Sequence, residues 1–266
     1  MKVNSQDFKK WREREIFLKI HVPPDAPFFL RLDGWRFQRL SEKLKAEKPF
    51  DKRFTECLIS ASKKLFTEGF NPTLVYISSD ELNILFLNTK FFGGRVEKID
   101  SISAGFISSA FTLSLAKTFK KECIAAFDSR IVITQTDEMI LEYLCWRQLN
   151  TWRNHNNAYA YWIFRKIGLK PSEIAEKLKG MKTKELHEEM FKHGLNLTQT
   201  PQWQRRGILL YKEPFTKHFG NQLVVRWTIR ENWELPLFTS EDGEKLIQKI
   251  LKWKRKEERI IGKREN

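Results

Sequence analysis

Two acids stand out for where they fall. Asp33 closes the apolar run Phe28-Phe29-Leu30-Arg31-Leu32 and is followed at once by Gly34, while Asp80-Glu81 lies between two further apolar runs, Thr73 to Ile77 and Leu82 to Leu87. Carboxylates on rigid strand ends suit phosphoryl or nucleotidyl transfer. Dense negative charge builds on the transferring phosphate, and two magnesium ions held by aspartates stabilise both the attacking and the leaving oxygen. Gly34 would let a backbone carbonyl approach the same metal, and Glu81 would add charge or hold a metal through water. Singly, each piece also reads as ordinary turn chemistry, a strand-ending Asp-Gly and a solvated hairpin tip. The five histidines form no HExxH or HxH pair and the three cysteines no CxxC, so zinc is not expected and any metal should be oxygen-bound.

The two acids matter together only if the fold joins them. Phe28 to Asp33 reads as a first strand, preceded by prolines and stopped by Gly34. From Asp51, a candidate N-cap, apolar residues at Phe54, Cys57, Leu58, Ala61 and Leu65 trace one helical face ending at Gly69. Thr73 to Ile77 and Leu82 to Leu87 form a hairpin whose tip carries Ser79-Asp80-Glu81. A helix from about Ile99 to Lys120 and a strand at Ile131 to Thr134 complete the order β-α-β-β-α-β. This split βαβ arrangement puts the first strand centrally beside the hairpin, which brings Asp33 towards Asp80. The expected fold class is therefore α+β: a palm-like, ferredoxin-like antiparallel sheet with helices on one face, over residues 1–136. Residues 137–266 follow as a mainly helical C-terminal region with a little β structure. Helices are expected from Asp137 to Lys166, Pro171 to Lys179, Thr183 to Lys192 and Glu241 to Arg259, and strands at Ile208 to Tyr211 and Leu223 to Ile229.

The 266 residues carry a formal charge of +15, with 41% apolar and 30% charged residues. Such a composition folds, and the charge points to an extended polyanion or an anionic surface. The longest uncharged run, from Ser101 up to Lys117, carries five serines and is too short to span a bilayer, so a buried helix is expected and no membrane partner. Without an apolar N-terminal stretch or paired cysteines, the chain reads as cytoplasmic.

Several motifs together resemble the tRNA-His guanylyltransferase family: Arg31-Leu32-Asp33-Gly34-Trp35-Arg36-Phe37, Lys48-Pro49-Phe50-Asp51, Ser79-Asp80-Glu81, Phe127-Asp128-Ser129-Arg130 and Trp146-Arg147-Gln148. The resemblance runs from about Pro27 to Lys212. It implies a polymerase palm, two Mg ions, GTP and ATP as substrates, a homotetramer, and nucleotide addition to tRNA 5′ ends in the 3′-to-5′ direction. Carried over by position, Asp33, Asp80 and Glu81 are the catalytic acids, with Asp33, Gly34 and Asp80 as metal ligands. The implied nucleotide-binding residues are Asp33, Gly34, Trp35, Arg36, Phe37, Gln38, Lys48, Asp51, Ser79 and Asp80, joined by Arg95 and Lys98 as triphosphate contacts.

Where eukaryotic-type members carry a His-Ile-Asn-Asn-Leu-Tyr-Asn motif after Trp-Arg-Gln, this chain has Trp152-Arg153-Asn154-His155-Asn156-Asn157-Ala158. The motif's histidine is replaced by Trp152, and His155 is shifted from its place. Arg153-Asn154, followed by Gln204-Arg205-Arg206-Gly207, resembles instead the guanylyltransferase-like branch that rebuilds truncated 5′ ends against a template. Addition of a single guanylate to tRNA-His is the alternative, and a non-catalytic tRNA-binding protein a further one. The expected RNA contacts are Arg147, Arg153, Asn154, Arg205 and Arg206, with Lys252 to Lys256 as a further basic tract and Trp152 and Trp203 available for stacking.

Overall fold

A computed structural model describes residues 10–88, 91–220 and 222–262. Strand β1 (Phe28–Gly34) is followed by α1 (Phe37–Lys43), α2 (Lys52–Thr67), the hairpin β2 (Leu74–Ser78) and β3 (Glu81–Phe86), α3 (Val96–Phe119) and β4 (Phe127–Ile133). Then come α4 (Asp137–Lys166), α5 (Pro171–Leu178), α6 (Thr183–Lys192), the short α7 (Gln202–Arg206), the paired strands β5 (Ile208–Phe219) and β6 (Gln222–Asn232), and α8 (Glu241–Gly262). The strands form one antiparallel sheet in the order β4-β1-β3-β2-β5-β6. The first strand is central, as the split βαβ reading requires.

Both faces of this sheet are covered, which explains why β1 to β3 read as continuous apolar runs rather than alternating ones. Phe28, Leu30, Leu32, Val75, Ile77 and Ile84 point into a core shared with Leu58, Leu65, Ile107 and Phe111 of α2 and α3. These are the palm helices, and they occupy one face. Phe29, Leu74, Tyr76 and Leu85 point the other way, into a core made with Ile140 and Leu144 of α4 and Ile247, Ile250 and Leu251 of α8. The far half of α4 packs its Ala160 and Phe164 on Ile174 of α5 and Leu186 and Met190 of α6.

Local chemistry accounts for the boundaries. Asp51 caps α2, accepting the Arg53 amide at 2.9 Å. Thr136 caps α4 by accepting the Met139 amide, and Asp137 and Glu138 sit in its first turn, where the helix dipole favours negative charge. Helix α3 is 24 residues long and apolar enough to cross a membrane by length and composition, which corrects the expectation drawn from its uncharged run. Here Ile99, Ser103, Ile107, Phe111 and Leu115 are buried in the protein. Strand β4 begins four residues earlier than its apolar run indicates. Asp128, Ser129 and Arg130 belong to it, and at a half-solvated sheet edge polar residues carry no strand signal of their own.

The C-terminal region is bonded into the sheet. β5 pairs with β2 from Ile208 to Tyr211 and continues beyond it with β6 alone. Beneath the junction, the Tyr76 hydroxyl hydrogen-bonds Thr151 Oγ1 at 2.8 Å and donates to the Arg206 carbonyl at 2.9 Å. The Ser78 hydroxyl meets the same Thr151 Oγ1 at 2.7 Å. Gly207 makes this approach possible: its φ is +79°, and a Cβ there would lie 2.5 Å from the Tyr76 ring.

Candidate active site

Strand register sets Glu81 of β3 opposite Asp33 of β1, and Asp33 opposite Asp128 of β4. Directly paired residues share a face, so three acids form a row across three strands, with Asp80 beside them in the β2–β3 turn. Asp80 is pushed up to about 6, first by burial and then by the negative charge of Asp33, while a hydrogen bond from Ser79 works against the rise. The two acids singled out from the sequence are thus close enough to repel each other.

The other two acids in the row are already neutralised. Glu81 accepts the Arg147 Nε at 2.9 Å and a second guanidinium nitrogen, and the Asn83 amide donates to it at 2.8 Å. Asp128 is paired with Arg130 at 2.8 Å. Among the described residues, no cation is paired with Asp33 or Asp80. Nor does any described group of three or more His, Cys, Asp or Glu form a metal cage. That donor set fits magnesium better than a cage would, because Mg²⁺ keeps several waters and binds through one or two carboxylates together with substrate phosphates. A side chain at Gly34 is excluded, since a Cβ would lie 2.4 Å from the Phe37 ring.

Beside Asp80 opens a cleft of about 360 Å³, walled by α1, the loop 46–51, the hairpin tip and the last turns of α4. Gln38, Ser41, Lys48, Ser79, Asp80 and Trp162 carry its chemistry. Lys48 donates to Ser41 Oγ and lies 5.4 Å from the centre of the Trp162 ring. Burial draws its ammonium below the usual lysine range, and the charges of Glu42 and Asp51 oppose that. The result is a cation held against an aromatic wall with a carboxyl group across the cleft. Nothing in the sequence pointed to Ser41, Tyr161 or Trp162 as cleft residues, because helical spacing does not say what a helix faces beyond the core.

The remaining expected site residues divide. Asp51 borders the cleft, but its carboxylate is occupied by the amides of Glu47 and Arg53 and by the Arg53 guanidinium. It shapes the loop. Phe37 borders the cleft as well, its ring otherwise packed on Phe54, Phe111 and Phe127 in the core. Trp35 and Arg36 turn away from the cleft into a separate groove on the far side of α1. Arg95 and Lys98 also lie outside the cleft lining: Arg95 bridges to His21 and lies 3.8 Å from Glu97, and Lys98 is exposed on the first turn of α3.

Of the expected RNA contacts, Arg147 is corrected, since its guanidinium is only 11% exposed and committed to Glu81. Arg205 and Arg206 are half-buried and each donates to a backbone carbonyl, of Thr200 and Leu235 respectively. Arg153 and Asn154 are exposed. His155 is 1% exposed, hydrogen-bonded to Asn156 and Thr200 and stacked on Trp152. It is a core residue. Trp203 packs edge-on against Phe50 and Trp233, and Trp152 against His155 and His187, so both expected stacking residues are engaged within the protein.

Comparison with known proteins places these features in context. The family model described as tRNAHis guanylyltransferase matches residues 8–135, and that described as Thg1 C terminal domain matches residues 138–263. The tRNA(His) guanylyltransferase of Schizosaccharomyces pombe is 28% identical over 204 residues, covering 75% of this chain and 78% of its own. That of Debaryomyces hansenii is 29% identical over 228 residues, covering 83% and 84%. The crystal structure of the Saccharomyces cerevisiae enzyme superposes with a TM-score of 0.68 at 27% identity, over 77% of this chain and 92% of that one. A bacterial tRNA(HIS) guanylyltransferase-like protein in complex with ATP gives a TM-score of 0.73 over 92% and 98% of the two chains. At 24% identity that likeness concerns the fold alone.

Proposed function

The chain belongs to the tRNAHis guanylyltransferase family, and from that premise we propose that it transfers nucleotides from nucleoside triphosphates to the 5′ end of tRNA. In the finer form of this reading, growth runs 3′-to-5′. A triphosphate first activates a 5′-monophosphate end, and the 3′-hydroxyl of an incoming nucleotide then attacks the activated phosphate. The observation that carries the reading is the pair Asp33 and Asp80, close and unneutralised in a row whose other acids each have an arginine.

Asp33, Asp80 and the Gly34 carbonyl would hold the magnesium, which when bound lowers the pKa of the attacking hydroxyl and draws charge from the phosphate oxygens. The protein's own part is placement. Lys48, steadied by Ser41 and Trp162, meets phosphate in the cleft, where desolvation strengthens the attraction. Ser79 orients Asp80 by hydrogen bond. Arg147 removes the charge of Glu81 from the row, so that the incoming triphosphate faces two carboxylates instead of three. The homotetramer implied by family resemblance belongs to the same proposal and is checked by sedimentation of the purified chain.

Template-dependent repair is the preferred form because Trp152 stands where the histidine of the non-templated motif is expected, and the shifted His155 is buried away from any RNA. The deciding experiment incubates the protein with magnesium, labelled triphosphates and two tRNAs, one full-length and one lacking its first nucleotide. Addition restricted to the truncated tRNA, and to the base that pairs with the opposite strand, supports repair. A single guanylate added to full-length tRNA-His whatever its opposing base supports the alternative. No addition to either, with tRNA binding intact, would leave a binding protein.

A further inference from the structure

Helix α1 has two working sides. Gln38 and Ser41 line the cleft, whereas Arg36, Arg39, Leu40 and Lys43 line a groove of about 650 Å³ on the other side. The groove is closed by Ala116 near the end of α3 and by Glu122, Cys123 and Ile124 of the connection to β4. Arg39 and Lys43 are four residues apart, so their side chains follow one another along a single face of α1, and Arg36, at its N-cap, lines the same groove.

These cations differ from those around the acid row. Arg147, Arg130 and Arg53 are all consumed by carboxylates of the protein. Arg36, Arg39 and Lys43 are exposed, and among the described residues none forms an ion pair. Glu122 is the single acid in the groove lining. Trp35 is 58% exposed with the Arg36 guanidinium 4.3 Å from its ring centroid. An exposed indole beside a track of unpaired cations is the arrangement that binds single-stranded nucleic acid, phosphates on the cations and a base on the ring. Within a duplex the bases are already stacked, so the ring favours an unpaired one.

The groove also begins at the reaction centre. Trp35 is two residues from Asp33, a separation of about 7 Å at most between Cα atoms. Its amide donates to the Ala126 carbonyl at 2.8 Å, two residues ahead of Asp128. We propose that this groove holds an unpaired RNA segment beside the 5′ end being extended, with Arg39 and Lys43 binding its phosphates and Trp35 stacking on one base. The proposal rests on the nucleotidyltransferase reading above. At the end of a base-paired stem, the strand opposite the 5′ end continues past it as a 3′ overhang, and this is the segment the groove receives.

The test uses the full chain and two RNA hairpins with the same stem and 5′-phosphate, one blunt and one with a four-nucleotide 3′ overhang. Affinities are read by fluorescence anisotropy over a series of salt concentrations for the wild type, Trp35→Ala and the double variant Arg39→Ala/Lys43→Ala, each checked for an unchanged melting curve. The wild type should bind the overhang hairpin roughly tenfold tighter, within the range expected for stacking one base on an aromatic side chain. Both variants should bind the two hairpins alike, and in the double variant the slope of log K against log salt on the overhang hairpin should fall by about 1 to 1.5. Equal wild-type affinities for the two hairpins, or a preference that survives in both variants, overturns the proposal. Nucleotide addition is scored in parallel. Addition without overhang preference refutes the groove alone, whereas overhang preference without addition to any RNA refutes the catalytic reading.

Discussion

Asp80→Asn should make this protein more stable while destroying its activity. Asp80 is raised from 3.8 to about 6 by burial and by Asp33, so the folded state favours the protonated form more than the unfolded chain does. With a raised carboxyl pKa the sign is unfavourable at high pH: stability falls as pH rises from 3.8 towards 6 and stays depressed above that. The shift corresponds to roughly 2–3 kcal/mol withheld at neutral pH. Asparagine has nearly the same shape, keeps an oxygen for the Ser79 hydrogen bond, and cannot ionise. Urea unfolding of both proteins in excess chelator is the assay. At pH 8 the variant should be more stable by about 2–3 kcal/mol, and at pH 4 the two should nearly coincide. Added magnesium should stabilise the wild type and leave the variant almost unmoved, because only the former retains both carboxylates. A variant no more stable than the wild type at pH 8, or a gap that is the same at both pH values, would refute the claim that Asp80 is held against its own charge.

Other consequences follow from the pairing and packing around the site. Arg147→Met leaves Glu81 buried without its cation and should cost about 3–5 kcal/mol, whereas Glu81→Gln together with Arg147→Met should recover much of the loss; chemical denaturation of the single and double variants checks both. His155 is drawn down from 6.5 to about 4 by burial, so its neutral form stabilises the fold above pH 6.5. That contribution, roughly 3 kcal/mol, is lost as pH falls towards 4. Measured in the Asp80→Asn background, where the opposing carboxyl effect is absent, His155→Gln should flatten the stability profile between pH 6.5 and 4. Gly207→Ala forces a Cβ into the Tyr76 ring and the Ile77 carbonyl at a positive φ, and should lower the melting temperature by several degrees.

The architecture was legible where residues are buried on both sides, and illegible where they are not. β1, β2 and β3 announced themselves as apolar runs, and the long helices through spacing and caps. The start of β4 did not, because Asp128, Ser129 and Arg130 lie on a solvated edge where only pairing with β1 makes them a strand. α1 went unseen for a related reason: its seven residues follow Arg36 in the left-handed region and carry Phe37 and Leu40 as their buried residues. Missing α1 had a cost at the site. Family resemblance implies one continuous nucleotide-binding segment from Asp33 to Gln38. As a turn into a helix, successive residues are dealt to different places: Trp35 and Arg36 to the groove, Phe37 to the boundary of core and cleft, Gln38 to the cleft.

The basic residues show the same limit from the electrostatic side. A charge of +15 says that much of the surface suits a polyanion, but not which cations are free to meet one. That depends on which carboxylates the fold brings within reach, a long-range property that no local window of sequence contains. Arg147 stands in a motif with Trp146 and Gln148 and looked exposed to RNA, yet register brings Glu81 to it from 66 positions away. Lys212 is likewise drawn onto Glu257, 45 positions on. Arg39 and Lys43 belong to no motif and remain without a carboxylate among the described residues. The cations that a motif picks out are, in the first case, those the protein needs to neutralise its own acids. Those left over line the groove beside Trp35, so unpaired charge is a better guide to substrate contacts than recognisable sequence.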